Sequence, residues 1–149
     1  SEMCIRDRWR TRCDRDGVTL TLAKAARPIH VHVDAMRLRQ IIDNLMENAL
    51  RVSPQGSQIH LAIHTDATIA DDSFAVIEVR DSGPGLCEDD LAVAFEPGAL
   101  HERYRGVRPV GTGLGLALVD RLASRMGGAA AVTSSPGVGS SFWIRIPLA

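Results

Sequence analysis

The hydrophobic pattern is strongest between Asp34 and Pro54, in DAMRLRQIIDNLMENALRVSP. Leu38, Ile41, Ile42, Leu45, Met46, Ala49 and Val52 form a broad apolar arc at three- and four-residue spacing, which predicts an amphipathic helix. Asp34 supplies an N-cap, and Pro54 stands where the helix has already ended. At about 100° per residue, Gln40, Asn44, Asn48 and Arg51 gather on the opposite side. A solvated face ordinarily carries Lys and Glu. Asparagine is a poor helix former, so helix stability does not account for two of them four residues apart. This face has a task other than folding.

Elsewhere the period drops to two. Val18 to Leu22 and Pro28 to Val33 alternate as half-buried strands, with His30 and His32 on one strand face. No third ligand is near them, which favours a solvated strand face over a metal site. Gln58 to His64 and Phe74 to Arg80 read as a hairpin joined by the polar loop Thr65 to Ser73. Asp81-Ser82-Gly83-Pro84-Gly85-Leu86 comes directly after, then a short helix from Glu88 to Phe95 and an irregular basic segment from Pro97 to Pro109. Val110 to Leu116, rich in glycine, runs into a helix that ends near Met126 at Gly127-Gly128. Ala129 to Thr133 and Ser141 to Ile146 are the last strands, around the turn Ser135 to Gly139. This order predicts an antiparallel-rich sheet with helices on one face, an α/β sandwich.

The 149 residues suffice for one core-bearing domain. An apolar content of 45%, a charged content of 23% and a formal net charge of −1 describe an ordinary globular domain and argue against general nucleic-acid affinity. No apolar run approaches the roughly 20 residues of a membrane span, and no signal peptide is visible. Cys4, Cys13 and Cys87 lack metal-like spacing and one must be unpaired, so a reducing compartment is the simplest expectation. Ser1 to Arg8 has no pattern joining it to the residues after it, and it resembles a frame translation of a library-adapter sequence. Residues 1–8 are therefore expected to be a non-native leader, with the domain running over 9–149.

Glycine-rich backbone entering a helix N-terminus is a generic anion site, because free N–H groups and the helix dipole face the ligand. Gly111, Gly113 and Gly115 fit such a phosphate cradle, although a flexible turn before a helix reads the same. The GxGxG spacing excludes the GxGxxG fingerprint, and no Lys-Ser/Thr comes next as a P-loop requires. Asp81 ends a strand, with Gly83 and Gly85 allowing a tight turn and close approach of a flat ligand. Its carboxylate can accept from an exocyclic amine or form an Asx turn at the strand end. The ordered combination shifts the balance towards a ligand.

That combination resembles the ATP-binding catalytic domain of sensor histidine kinases, in the GHKL superfamily with its HATPase_c-like domains. The residues that carry it are Asn44 to Ala49, Asp81 to Gly85, Phe95-Glu96-Pro97, Gly111 to Leu116 and Gly137 to Phe142. They match the N, G1, F and G2 boxes and the terminal glycine motif, nearly everything from Asp34 onward. The resemblance implies an α+β Bergerat-type fold, with a mixed, mostly antiparallel sheet and helices on one face. It implies ATP and Mg²⁺ as ligands, with Asn48 on the metal, Asn44 beside it and Arg51 reaching the phosphates. Asp81 would read the adenine amine while Gly83, Gly85 and Leu86 line the base. Gly111, Thr112, Gly113, Leu114, Gly115 and Leu116 would bind phosphates at the helix start, and Ser140 keeps a hydroxyl near adenine. Superfamily members that hydrolyse ATP place a Glu where this chain has Asn44. An amide is no general base, so hydrolysis is expected to be slow.

The chain departs from the family pattern at Val52, in the F box and in a short lid reaching Pro109. Val52 replaces a common aromatic residue, and Phe95-Glu96-Pro97-Gly98 lacks the second aromatic and basic residue of the F box. The lid's Arg103, Arg105 and Arg108 either screen γ-phosphate charge or form a solvated basic loop. The acceptor of these kinases is a histidine on a dimerisation helix. His30, His32, His60 and His64 fall in strands and His101 in the lid, so the chain carries a phosphate donor without its acceptor. The implied partners are the dimerisation or histidine-phosphotransfer domain of a parent kinase and, indirectly, a response regulator. No nucleic-acid or membrane contact is implied, and the location is cytoplasmic whether or not the parent is membrane-anchored. An anti-sigma-type serine kinase and a non-catalytic nucleotide-binding module are the alternatives.

Overall fold

The computed structural model describes the chain except residues 1, 24, 26, 27, 70, 71 and 107–113, and omits the side chains of 2–4, 66–69, 72 and 73 as well. Its elements are α1 (Glu2–Arg15), β1 (Thr19–Ala23), α2 (Ala35–Val52), β2 (Gln58–Ile69), β3 (Asp72–Asp81), α3 (Glu88–Val93), α4 (Ala99–Tyr104), α5 (Gly115–Arg125), β4 (Ala129–Ser135) and β5 (Gly139–Pro147). The strands form one sheet in the order β1-β2-β3-β5-β4. β1 pairs parallel with β2, and the remaining pairs are antiparallel. This is the sandwich that the pattern predicts, with the mixed, mostly antiparallel α+β sheet that the resemblance implies.

Helix α2 forms for the expected local reasons. Asp34 Oδ1 accepts from the Met36 and Arg37 amides at 2.9 and 3.4 Å, and the helix stops two residues before Pro54. It buries Ile41, Ile42, Leu45, Met46, Ala49 and Leu50. These meet Ile59 and Leu61 of β2, Ile77 and Val79 of β3, Phe142, Ile144 and Ile146 of β5, and Val119, Leu122 and Ala123 of α5 in one core. Strand residues alternate between faces, so the sheet residues between these point away from α2 and α5.

Three expectations need correction. Pro28 to Val33 forms no strand. Among the described residues its strand-like pairing is an isolated bridge, Val31 to Leu148, with the Ala149 amide donating to His30 O at 3.0 Å, while Val31 and Val33 pack against the core. Pro28 has no N–H for a ladder, and the chain it meets is the short end beyond β5. The loop expected from Thr65 to Ser73 is instead mostly strand, paired as far as Ile69 with Asp72 across a bulge. Thr65, Thr68 and Ile69 are β-branched, which favours extended backbone over a polar loop.

The third concerns α1, which the pattern left unassigned. Trp9 and Cys13 are enclosed in the core and Ile5 packs against it. Their four-residue spacing was the available helical signal. Trp9 Nε1 donates to Asp43 at 2.9 Å, Arg8 pairs with the same carboxylate, and Arg12 pairs with Glu47 while lying over the Trp9 ring. α1 therefore lies along the Asp43 and Glu47 side of α2.

Candidate functional site

The amide face of α2 lies against the start of α5. Asn44 and Asn48 are half-buried, and a Cβ added to Gly115 would sit 3.5 Å from Asn44 Oδ1. Arg51, in the last turn, is half-buried on the same side. Leu114 is the exposed N-cap residue of α5, while Gly115 and Leu116 open its first turn. The sequence-predicted phosphate residues Gly111, Thr112 and Gly113, with Arg108 of the lid, lie outside the described residues. The N-box side chains and the N-terminus of α5 thus share one end of the helical layer.

At the opposite wall, β3 ends in Asp81, which is buried to 4% exposure and pairs in register with Ser140 of β5. Asp81 Oδ1 accepts from the Gly83 amide at 2.8 Å, so the Asx-turn geometry is present. That hydrogen bond also aims the carboxylate, making the two readings of Asp81 compatible. Ser140 Oγ lies 2.8 Å from Ser134 Oγ on β4, and Ser134 also accepts from the Leu86 amide at 2.7 Å. Leu86 is buried, so its backbone ties the loop after β3 to β4. Ser134 was missed by sequence reasoning, because a serine near a strand end carries no local signal of such a bridge.

Gly83 and Gly85 leave no room for side chains. A Cβ on Gly83 would stand 2.9 Å from both Val52 Cγ2 and Val52 O. On Gly85, with φ +74°, it would fall 2.2 Å from Ser135 O. The end of α2, the loop after β3 and the β4–β5 turn therefore touch through backbone at these two positions. Val52, at the family's aromatic position, packs directly on that loop.

The F-box residue Phe95 packs edge-on against Phe142, with ring centroids 6.2 Å apart. The segment after it, expected to be irregular, contains α4. Arg103, a candidate for the γ-phosphate, bonds instead to Asp90 of α3 at 2.7 Å. The Tyr104 hydroxyl bonds to the other oxygen of the same carboxylate.

Nucleotide and metal fit this geometry in kind. A buried carboxylate that can accept, glycines with no room for a Cβ and an amide-bearing helix against the α5 N-terminus are compatible with a purine nucleotide. Among the described residues, no three His, Cys, Asp or Glu side chains gather to hold a metal ion. An amide oxygen supplemented by phosphate and water oxygens suits Mg²⁺, which seldom takes a full protein cage.

Comparison with known proteins defines the class. Residues 33–149 match the family described as Histidine kinase-, DNA gyrase B-, and HSP90-like ATPase, and the chain belongs to that family. Sensor protein TorS of Escherichia coli (strain K12) is 44% identical over 115 residues, covering 77% of this chain and 12% of TorS. Sensor protein GacS of Pseudomonas syringae pv. syringae is 37% identical over 121 residues, covering 81% of this chain and 13% of GacS. The chain thus spans about an eighth of the length of these curated relatives. Full-length ShkA in complex with AMPPNP superposes with a TM-score of 0.81 at 30% identity, over 99% of this chain and 29% of that one. The mycobacterial sensor histidine kinase MprB gives a TM-score of 0.75 at 25% identity, over 99% and 94%. The domain corresponds to the ATPase-family domain of sensor histidine kinases.

Proposed function

We propose that this domain binds Mg-ATP and presents its γ-phosphoryl group to a histidine on a dimerisation domain of a parent sensor kinase. The observation that carries the reading is the buried Asp81 carboxylate, in register with Ser140, beside a loop whose Gly83 packs on Val52 at the end of α2. Asp81 accepts from the adenine amine, with the Gly83 amide holding its other oxygen in place. The close backbone packing at Gly83 and Gly85 keeps that wall flat. Asn48 offers its amide oxygen to Mg²⁺, Asn44 stands beside it at the head of α5, and Arg51 neutralises phosphate charge. By the family resemblance, the segment from Gly111 to Leu116 would supply amides to the phosphates. When bound, Mg²⁺ would neutralise phosphate charge.

Asn44 lacks a basic group, so water is not activated and the phosphoryl group is kept for a protein acceptor. Likeness to the mycobacterial sensor histidine kinase MprB favours a histidine acceptor over a serine one. In the parent protein the domain would work in the cytoplasm, with a response regulator receiving the phosphoryl group in turn.

The test is calorimetric titration of the chain with ATP and GTP, with and without Mg²⁺. ATP is expected to bind at least tenfold more tightly than GTP, and Asp81→Asn to remove most of that difference, since one good hydrogen bond to a charged group contributes about 1.5–3 kcal/mol. Asn48→Ala is expected to reduce the Mg²⁺-dependent part of the affinity. Equal binding of ATP and GTP would overturn the adenine assignment.

A further inference from the structure

Asp90, in α3, has no exposed surface. A carboxylate removed from water is tolerated only when its oxygens are paired. Both partners come from α4: Arg103 Nη1 on Oδ1 at 2.7 Å, and the Tyr104 hydroxyl on Oδ2. The helix that supplies them is weak by itself. It has six residues, no side-chain N-cap and no buried residue. A helix that short does not persist in water on its own propensity. Its apolar hold on the domain is modest, with Leu100 half-buried against the core. α4 lies in the chain between the F-box residues and the start of α5, where the family's lid belongs.

We infer that Asp90 is a positioning residue that clamps α4 through Arg103 and Tyr104, and that Arg103 anchors the lid rather than binding phosphate. The inference rests on the proposed nucleotide site for its functional consequence but not for the clamp. Asp90 is buried and Arg103 retains 43% side-chain exposure, so the guanidinium reaches inward from the rim to satisfy a charge that has no water. Removing either partner leaves the other uncompensated and frees α4. A nucleotide must then order α4 as it binds, at a cost that does not depend on the number of phosphates.

The test uses the whole chain with Asp90→Asn, Arg103→Gln, Arg103→Lys, Tyr104→Phe and the double variant Asp90→Asn/Arg103→Gln. Amide hydrogen exchange over residues 99–106, read without nucleotide, is expected to quicken about tenfold or more in Asp90→Asn and Arg103→Gln, and by less in Tyr104→Phe. The double variant should be no worse than either single one, and Arg103→Lys should restore part of the protection. ATP and ADP affinities should fall by the same factor. Unchanged exchange in Arg103→Gln, or effects that simply add in the double variant, would overturn the clamp. Selective loss of ATP over ADP would return Arg103 to the phosphates. Because Arg103 and Tyr104 sit at the rim, their variants decide the matter even if Asp90→Asn does not fold. If the unaltered chain binds neither nucleotide, the functional proposal fails while the exchange data still judge the clamp.

Discussion

Gly85→Ala is the sharpest test of how the site is built. The residue sits at φ +74°, where an L side chain costs about 1–2 kcal/mol. The larger effect is steric: the new Cβ would lie 2.2 Å from Ser135 O, 2.8 Å from Ser135 C and 3.1 Å from Pro136 Cα. These are backbone atoms, so no side-chain rotation relieves the contact. A carbon–oxygen approach of about 3.3 Å is comfortable, so the loop and the β4–β5 turn must separate by about 1 Å. That separation strains two bonds of 2.7 Å, from the Gly137 amide to Pro84 O and from the Leu86 amide to Ser134 Oγ. At about 1 kcal/mol each, the total loss is about 3–4 kcal/mol.

Gly56→Ala is the matched control. Gly56 has φ +87°, but a Cβ there would have nothing within 4 Å, so only the conformational cost of about 1–2 kcal/mol remains. For a chain of this size 1 kcal/mol moves the melting temperature by about 2–4 °C. Thermal unfolding followed by circular dichroism should therefore place Gly85→Ala roughly 4–8 °C below Gly56→Ala. ATP affinity should fall only in the first. Equal melting temperatures would refute the close backbone approach, and with it the account of why glycine stands beside Asp81.

Trp9→Ala should cost about 3 kcal/mol or more in urea unfolding, because Trp9 is buried and its indole N–H is held by Asp43; a change below about 1 kcal/mol would remove α1 from the core. Cys87 should react with iodoacetamide in the native state while Cys13 stays protected until unfolding, as peptide mass spectrometry would show. Burial pushes the Cys13 thiol above its ordinary value of 9.0, so its contribution to stability is complete below that pH and is lost as pH rises through the folded value. Purified chain should release phosphate from ATP far more slowly than a dedicated ATPase, and brisk turnover would contradict the role given to Asn44.

Local rules made much of the site legible. Asp34, Pro54 and the apolar arc delimit α2 because caps and helical period are written within some twenty residues of contiguous chain. Asn44, Asn48, Asp81 and the glycines stood out because each breaks a local preference, amides on a helix face or glycine at a strand end. Such violations concentrate at sites. The elements that were misread failed where local preference was overruled or ambiguous. Pro28 to Val33 alternates correctly but finds no strand to pair with, since pairing depends on a distant neighbour. Ile5, Trp9 and Cys13 carried a faint helical spacing that mattered only once α2 and β1 were there to receive it.

The sequence by itself determined the amide face, the Asp81 turn and the order of the glycine segments, because helix period, capping and turn chemistry act between near neighbours. Tertiary structure decided which of these meet. Asn44 stands against Gly115, Asp81 stands beside Ser140 in register, and Val52 closes on Gly83 only after α2, α5 and the sheet have packed. It also decided the partners of buried charge. Arg103 looked like a basic lid residue until the fold enclosed Asp90 and removed its water, and a carboxylate in that position draws in the nearest cation.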